Sequence, residues 1–204
     1  LAVCIAPLSE PLEDLTLCAG SALSVGANTS NSTSFVWKKD GVVLSGQTTD
    51  SLNLDAVSVA VADAGMYTVV LENACGKDSA SFTLTVSDIA LTATAVDALC
   101  HGGDGSITVD ASGGIAPYEY SLDGVDFQSE ATFAGLAAGD YVLTVRDANG
   151  CVAGIEASIG QPDALSFTTT GRAETCELGF IAITANGGTG PYEYSLDGQA
   201  YQGE

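Results

Sequence analysis

An eight-residue sequence, PYEYSLDG, occurs twice without change, at residues 117–124 and again at 191–198. The flanking residues also correspond, from ASGGIAPYEYSLDGVDF in the first copy to ANGGTGPYEYSLDGQAY in the second. The copies are 191 − 117 = 74 residues apart, which is the length of a whole small domain. A repeat of this period predicts that the chain is built from tandem modules.

The repeated octapeptide has the alternation of a β-strand with one buried face. Tyr118 and Tyr120 alternate with polar residues, a Gly-Gly pair precedes them, and an Asp-Gly pair follows. Glycine-containing pairs of this kind mark turns at strand ends. We therefore expect both tyrosines, and Tyr192 and Tyr194 in the second copy, to anchor a core and not to serve as ligand platforms.

The composition predicts an all-β protein, and the 74-residue period predicts that it is made of tandem modules. Hydrophobic residues make up 46% of the chain and charged residues 15%, with 24 glycines. No segment shows a sustained apolar stripe of helical period, whereas short alternating runs between turn residues are frequent. The joins at 86–88 and 160–162 are short, which favours modules arranged end to end.

The chain is strongly acidic, with 26 Asp and Glu against five Lys and Arg and a net charge of −21. Such a field repels nucleic acid and anionic membranes. Solubility explains the charge most simply, and calcium-bridged acidic loops are the alternative. No apolar run is long enough for a membrane helix. We also expect no signal peptide at the start of this sequence, since no basic segment precedes an apolar one. We expect the sequence to be an internal piece of a longer protein.

Residues 11–87 contain several short predicted strands, a single tryptophan at Trp37, and Tyr67 directly after an acidic turn. With these features they resemble a bacterial immunoglobulin-like domain, in which Trp37 would be the core tryptophan and Tyr67 the tyrosine corner. The resemblance implies that the modules are tandem immunoglobulin-like β-sandwiches. Val69 and Leu23 occupy the positions at which antibody domains carry the cysteines of the bridge between the two sheets. The sequence therefore predicts that this core bridge is absent.

The chain has six cysteines and a single histidine, and the spacings favour disulfides over a zinc site. We predict the pairs Cys18–Cys75 and Cys100–Cys151, because each pair flanks strand ends that a sandwich brings together. Disulfides of this kind indicate an oxidising, extracellular setting.

Two cysteines, Cys4 and Cys176, have no predicted partner within the chain. Cys176 corresponds to Cys100, so we expect its partner beyond Glu204, and we expect Cys4 to pair with a flanking module. His101 directly follows Cys100, so the two side chains of an extended segment point apart and cannot act as a base and nucleophile pair. A surface histidine is the simpler interpretation.

Residues 88–161 carry an ordered set of motifs, in which a cysteine is followed by Gly-Gly, Pro-Tyr-x-Tyr-Ser-x-Asp-Gly, Leu-x-x-Gly-x-Tyr and a closing Asp-x-x-Gly-Cys. This set resembles the SprB repeat of gliding-bacterial surface adhesins. The set begins again at 162–204, which we expect to be a second, truncated repeat, and we interpret residues 1–10 as a linker or the end of a preceding module. The resemblance implies giant proteins exported by the type IX secretion system to the outer surface of Gram-negative gliding cells. It implies no active site.

Other motifs suggest chemistry only weakly. The segment from Asp147 has the start of a calcium loop but lacks the bidentate Glu, so turn chemistry is preferred and we predict no cofactor other than possible calcium. Ser51 and Ser79 lie in Asp-Ser-aliphatic triplets that resemble the O-glycosylation signal of bacteria with this secretion route. Catalytic residues are not predicted.

The sequence thus favours a non-catalytic stalk segment of a large secreted surface adhesin or filament. Its expected partners are the neighbouring modules of the same chain and an extracellular surface or glycan, with no nucleic acid and no direct membrane insertion. A carbohydrate-binding or accessory region of a large secreted hydrolase is the alternative. Because the tyrosines fall on alternating apolar faces and not in an exposed row, the first interpretation is preferred.

Overall fold

The computed structural model describes residues 4–54, 58–172 and 180–203. Within these ranges the regular structure is β-strand apart from one 3-10 turn at Val61–Asp63, which confirms the all-β prediction. No helix of the described residues is long and apolar enough to cross a membrane. The chain forms two compact units, one of residues 1–90, 111–118 and 145–153, the other of residues 91–110, 119–144 and 154–204.

The first nine strands belong to the first unit. They are β1 (Leu8–Ser9), β2 (Leu15–Cys18), β3 (Ser24–Gly26), β4 (Thr29–Ser30), β5 (Ser34–Lys39), β6 (Val42–Val43), β7 (Ser51–Asn53), β8 (Gly65–Asn73) and β9 (Gly76–Ser87). The main sheet has the order β2-β9-β8-β5-β6, with β2 parallel to β9. Strand β3 pairs with β7, and β1 pairs with β4.

Strands β8 and β9 form the long hairpin of this sheet. Their register runs from Gly65 opposite Leu84 to Asn73 opposite Gly76, which leaves a two-residue turn at 74–75. Side chains along β8 alternate, so Tyr67 and others on its face are buried while Met66 is exposed. The period-two pattern in the sequence therefore determines which face of the hairpin packs on the core.

Aromatic residues fill the centre of this core. Trp37 and Tyr67 are almost completely buried, and the rings of Tyr67 and Phe82 stack with centroids 5.3 Å apart. The indole Nε1 of Trp37 donates to the carbonyl of Thr49 at 3.1 Å, and the Tyr67 hydroxyl donates to the carbonyl of Asp63 at 2.8 Å. The predicted core tryptophan and tyrosine corner are both confirmed.

Two aliphatic residues occupy the positions of the missing core bridge. Leu23 and Val69 are 2% and 0% exposed and belong to the same hydrophobic cluster. Burying each aliphatic side chain contributes roughly 1.5–3 kcal/mol relative to leaving it in water. Apolar packing therefore stands in the place of this disulfide.

The remaining strands follow in chain order. They are β10 (Ile89–Val96), β11 (Gly105–Gly113), β12 (Glu119–Ser121), β13 (Thr132–Leu136), β14 (Gly139–Arg146), β15 (Val152–Ile159), β16 (Ser166–Arg172), β17 (Phe180–Asn186), β18 (Glu193–Tyr194) and β19 (Gln202–Gly203). Two three-stranded sheets have the orders β10-β11-β13 and β12-β14-β15. Strand β16 pairs with β17, and β18 pairs with β19.

The repeated tyrosines differ in burial. Tyr120 is 9% exposed and meets the core prediction. The other three are half-buried, namely Tyr118, Tyr192 and Tyr194. In both copies the hydroxyl of the first tyrosine donates to a glycine carbonyl, from Tyr118 to Gly113 and from Tyr192 to Gly187 at 2.7 Å. These first tyrosines therefore fasten a turn with the polar end of the ring, which explains their incomplete burial.

The Gly-Gly pair before each octapeptide requires glycine. Gly113 and Gly187 have φ of 68° and 73°, in the left-handed region. A Cβ atom at Gly113 would lie 2.3 Å from the carbonyl oxygen of Asp88, and one at Gly187 would lie 2.2 Å from that of Ala164. The same close approach of two backbone segments is thus built into both copies of the repeat.

Candidate functional site

The hairpin turn between β14 and β15 is held by hydrogen bonds within its own backbone. The amide of Asp147 donates to the carbonyl of Cys151 at 2.9 Å, and the amide of Gly150 donates to the carbonyl of Asp147 at 3.0 Å. Gly150 has a φ of 81°, which the tight turn requires. The closing Asp-x-x-Gly-Cys motif of the repeat therefore forms this turn.

The carboxylate of Asp147 is buried, with 4% of the residue exposed, and both of its oxygens accept hydrogen bonds. Oδ1 accepts from the amides of Asn149 and Cys151, each at 2.9 Å. Oδ2 accepts from the amide of Ile115 at 3.1 Å and from the hydroxyl of Ser87. One side chain thus joins the end of β9, the segment after β11 and its own turn.

The pKa of Asp147 is held below its ordinary value. Burial by itself raises the pKa of this carboxyl, but the hydrogen bonds from Ser87 and from the amides of Cys151, Ile115 and Asn149 favour the charged form and outweigh it. The carboxylate is therefore ionised at neutral pH and acts as a fixed acceptor.

A disulfide fastens the same turn. Cys18 and Cys151 are bonded, with their Cα atoms 5.4 Å apart, which is an ordinary distance for a bridge. Cys18 ends β2 opposite Ser87 in the parallel register, and the amide of Ala19 donates to the carbonyl of Ser87 at 2.7 Å. The covalent bond and the Asp147 carboxylate therefore converge on the end of β9.

A second disulfide lies at the opposite end of β9. Cys4 and Cys75 are bonded with a Cα separation of 5.5 Å. The side chain of Asn73 supports this bridge, because its Oδ1 accepts from the amide of Cys75 at 2.7 Å and its Nδ2 donates to the carbonyl of Ile5 at 2.9 Å. The segment before β1 is thus tied to the turn of the β8–β9 hairpin.

The predicted pair Cys18–Cys75 is wrong. Cys75 immediately precedes the first residue of β9, whereas Cys18 lies beside Ser87, its last residue. At ~3.3 Å per residue, this 12-residue strand separates the two cysteines by roughly 36 Å. The prediction failed because it placed the end of β2 and the end of β8 at the same end of the sandwich.

The other cysteine predictions also change. The predicted pair Cys100–Cys151 is wrong, because Cys151 is bonded to Cys18 and Cys100 is a free, exposed thiol. Cys4 bonds within this chain and not with a flanking module. Cys176 lies outside the described residues, so its predicted partner is untested.

An open groove of about 670 Å³ lies in the second unit. Its lining is mostly apolar and includes Leu99, Cys100, Leu165, Phe167, Ile183 and Tyr192. The exposed His101, as predicted, lies at the surface, with Nδ1 3.2 Å from the carbonyl oxygen of Pro162. Across the described ranges, no group of three or more His, Cys, Asp or Glu side chains is placed to hold a metal ion. The predictions about cofactors stay predictions.

The Ser-x-Asp-Gly end of each octapeptide forms a self-contained turn. The hydroxyl of Ser121 donates to Oδ1 of Asp123 at 2.8 Å, and that oxygen accepts from the amides of Val125 and Asp126. These backbone hydrogen bonds, with that from Ser121, lower the pKa of Asp123. The second copy repeats the arrangement at 195–200, so this acidic motif is used for turn chemistry.

The two serines of the glycosylation triplets differ in access. Ser79 is exposed on β9, while Ser51 on β7 is half-buried and donates to Oδ1 of Asp50 at 3.2 Å. The carboxylate of Asp78 accepts from both the amide and the hydroxyl of Ser9, which lowers its pKa. Modification of Ser51 and Ser79 stays a prediction.

Comparison with known proteins supports the repeat. Residues 92–127 match the SprB repeat family. No curated protein sequence matches the chain.

Solved structures with similar folds contain immunoglobulin domains. The N-terminal eight immunoglobulin domains of Down Syndrome Cell Adhesion Molecule superpose with a TM-score of 0.54 and 17% identity over 76% of this chain. This chain spans 27% of that structure's length. An I-band fragment of titin superposes with a TM-score of 0.51 and 15% identity, over 98% of this chain and 82% of the titin chain. At these identities the similarity shows the fold alone, which is a tandem immunoglobulin-like one.

Proposed function

We propose that this chain is a non-catalytic structural segment of a large, secreted cell-surface adhesin or filament. The observation that carries the proposal is the SprB match at residues 92–127, in a chain whose fold is tandem and immunoglobulin-like. In such a segment the modules hold a distal binding region away from the cell. Its immediate partners are the neighbouring modules, and an external surface or glycan is the target of the whole protein.

The cysteine chemistry supports an extracellular setting. Cys4–Cys75 and Cys18–Cys151 are disulfides, and such bonds persist in oxidising compartments and rarely in the cytosol. The net charge of −21 is compatible with an exposed surface protein, since it keeps modules soluble and repels other anionic surfaces. By the resemblance of its repeat, the protein reaches the outer surface of a Gram-negative gliding bacterium through the type IX secretion system.

Labelling of intact cells tests the location. An antibody raised against the recombinant chain is applied to a bacterium whose genome encodes it, with and without a functional type IX secretion system. We expect labelling of intact wild-type cells and its loss in the secretion-deficient strain. Labelling that requires cell lysis in the wild type would overturn the proposal.

Deletion tests the role. Removing the coding sequence for residues 88–161 in frame, with Cys18 replaced by serine because its partner Cys151 is removed, should reduce attachment of cells to a surface. Polysaccharide hydrolysis in the culture medium should stay unchanged. Unchanged attachment with lost hydrolysis would instead support the accessory region of a secreted hydrolase.

A further inference from the structure

The loop between β10 and β11, residues 97–104, holds the short segment that joins the two repeats. This segment is the second join, residues 160–162. Oδ1 of Asp97 accepts from the amide of Gly160 at 2.7 Å, and the carbonyl of Gly160 accepts from the amide of Ala98 at 3.0 Å. The first residue of the second join is therefore bonded to the β10–β11 loop through both its amide and its carbonyl.

The next two residues of the second join contact the same loop. The amide of Gly102 donates to Oε1 of Gln161 at 2.7 Å. Nδ1 of His101 lies 3.2 Å from the carbonyl oxygen of Pro162. Every residue of the second join thus contacts the β10–β11 loop, and a segment that is held in this way does not behave as a flexible linker.

The following repeat also contacts this loop directly. The hydroxyl of Thr189 donates to the carbonyl of Leu99 at 3.1 Å. Thr189 follows the Gly-Gly pair of the second copy, where the amide of Gly188 donates to the carbonyl of Asp163 at 2.7 Å. The backbone segments approach so closely here that a side chain at Gly187 has no space. The Gly-Gly turn therefore brings Thr189 to the β10–β11 loop.

The first join, residues 86–88, is held by a different set of bonds. Ser87 donates to the buried carboxylate of Asp147, and the Cys18–Cys151 bridge lies beside it. At the second join the contacts between described residues are hydrogen bonds from neutral groups. Substitution of neutral side chains can therefore loosen the second join while the first stays intact.

We propose that the β10–β11 loop is the docking surface for the following repeat of the same chain, and that Gln161 and Thr189 position that repeat. The loop presents a backbone amide at Gly102 and a backbone carbonyl at Leu99, which the side-chain amide oxygen of Gln161 and the hydroxyl of Thr189 complement. Two acidic modules can make such neutral contacts without ion pairs, in a chain with 26 acidic and five basic residues. The second join then opens and closes as one unit.

This inference names the partner of one module and rests for its purpose on the proposed structural role. Its test uses the purified chain and does not depend on secretion or attachment, so the two proposals can fail separately.

Amide hydrogen exchange of the 204-residue chain, followed by NMR, tests the proposal. Gln161→Ala removes the acceptor of Gly102, and Thr189→Val removes the hydroxyl while keeping the shape of the side chain. Either variant should speed exchange about fivefold at both Gly102 and Gly188, because loss of one hydrogen bond loosens the whole join. Exchange at Gly114, beside the first join, should stay unchanged.

The conservative variants Gln161→Glu and Thr189→Ser are the controls. They keep an acceptor oxygen and a hydroxyl, so exchange should match that of the wild type. Changes confined to the amide nearest each substitution, or wild-type exchange at Gly102 and Gly188 as fast as in an unfolded chain, would overturn the proposal.

If Gln161→Ala or Thr189→Val does not fold, ¹⁵N relaxation of the wild-type chain decides instead. Order parameters of the amides at 160, 161 and 163 should equal those of β15, at about 0.85. Lower values at these three positions than in β15, as in a free linker, would overturn the proposal.

Discussion

The carboxylate of Asp147 accepts hydrogen bonds from several separate parts of the chain, which the length and composition of the sequence do not predict. It is buried, ionised and hydrogen-bonded to four donors from three parts of the chain. Buried charged groups are stable only with such compensation, and removing an acceptor leaves its donors unsatisfied. The side chain therefore works as a polar clamp at the end of β9.

Asp147→Asn should lower the free energy of unfolding by about 1–3 kcal/mol at pH 7, because an amide cannot accept from all four donors. Since the folded-state pKa of Asp147 is lowered, its contribution is present above the unfolded pKa of about 3.9 and is lost as the pH falls through the folded value. Urea unfolding between pH 7 and pH 3 should thus show a shallower pH dependence in the variant. Asp104→Asn, at an exposed position, is the control and should behave as wild type.

Tyr120 is the tyrosine of the octapeptide that is buried. Tyr120→Ala should destabilise the chain by about 3 kcal/mol, as large aromatic truncations in cores do. Tyr201→Ala, at a residue that is 63% exposed, should cost much less. Equal melting temperatures of the two variants would contradict the core assignment and make sugar stacking on Tyr120 the better explanation.

The two copies of the repeat share their turns, and the Gly-Gly turn leaves little space for a side chain. Gly113→Ala and Gly124→Ala both place a side chain at positive φ, which costs roughly 1–2 kcal/mol. Only the first also brings a Cβ to 2.3 Å from a backbone oxygen, while at Gly124 the nearest atom is 3.9 Å away. Thermal unfolding should therefore show a clearly larger loss for Gly113→Ala, and equal losses would mean that the backbone at Asp88 moves aside freely.

The sequence predicts elements better than it predicts their connections. Period-two alternation and turn residues identify the strands, Trp37 and the tyrosine corner, because these signals are local. The disulfides depend on which strand ends meet, and that requires the direction of β2, which runs parallel to β9. The hydrogen bond between Ser87 and Asp147 was missed for the same reason, because the two residues are far apart in the sequence. The Asp-x-x-Gly-Cys turn can be recognised in the sequence, but the residues that it contacts cannot.

Charge acts on the molecule as a whole. With 26 acidic and five basic residues, like charges repel one another throughout the folded chain. Raising sodium chloride from about 0.01 to 0.15 M shortens the screening length to about 8 Å and should therefore stabilise the fold. Tm should rise by roughly 2–4 °C for each kcal/mol gained in the free energy of unfolding.

Calcium provides the matched comparison for this experiment. Calcium chloride and magnesium chloride at equal ionic strength should raise Tm equally if screening alone operates. A markedly larger rise with calcium would show a specific site and support the calcium alternative for the acidic loops.

The Cys18–Cys151 bond also determines how the chain bears tension. The shortest covalent path from Cys4 to Cys151 follows 18 − 4 = 14 residues of backbone and then crosses the bridge. The 133-residue separation that the bridge spans could otherwise lengthen by on the order of 450 Å when pulled straight. In single-molecule stretching, unfolding of the reduced chain should add this length to the extension, and unfolding of the oxidised chain should not. Redox state would then decide whether this part of the molecule behaves under a pull as a short, stiff tether or as a long, yielding one.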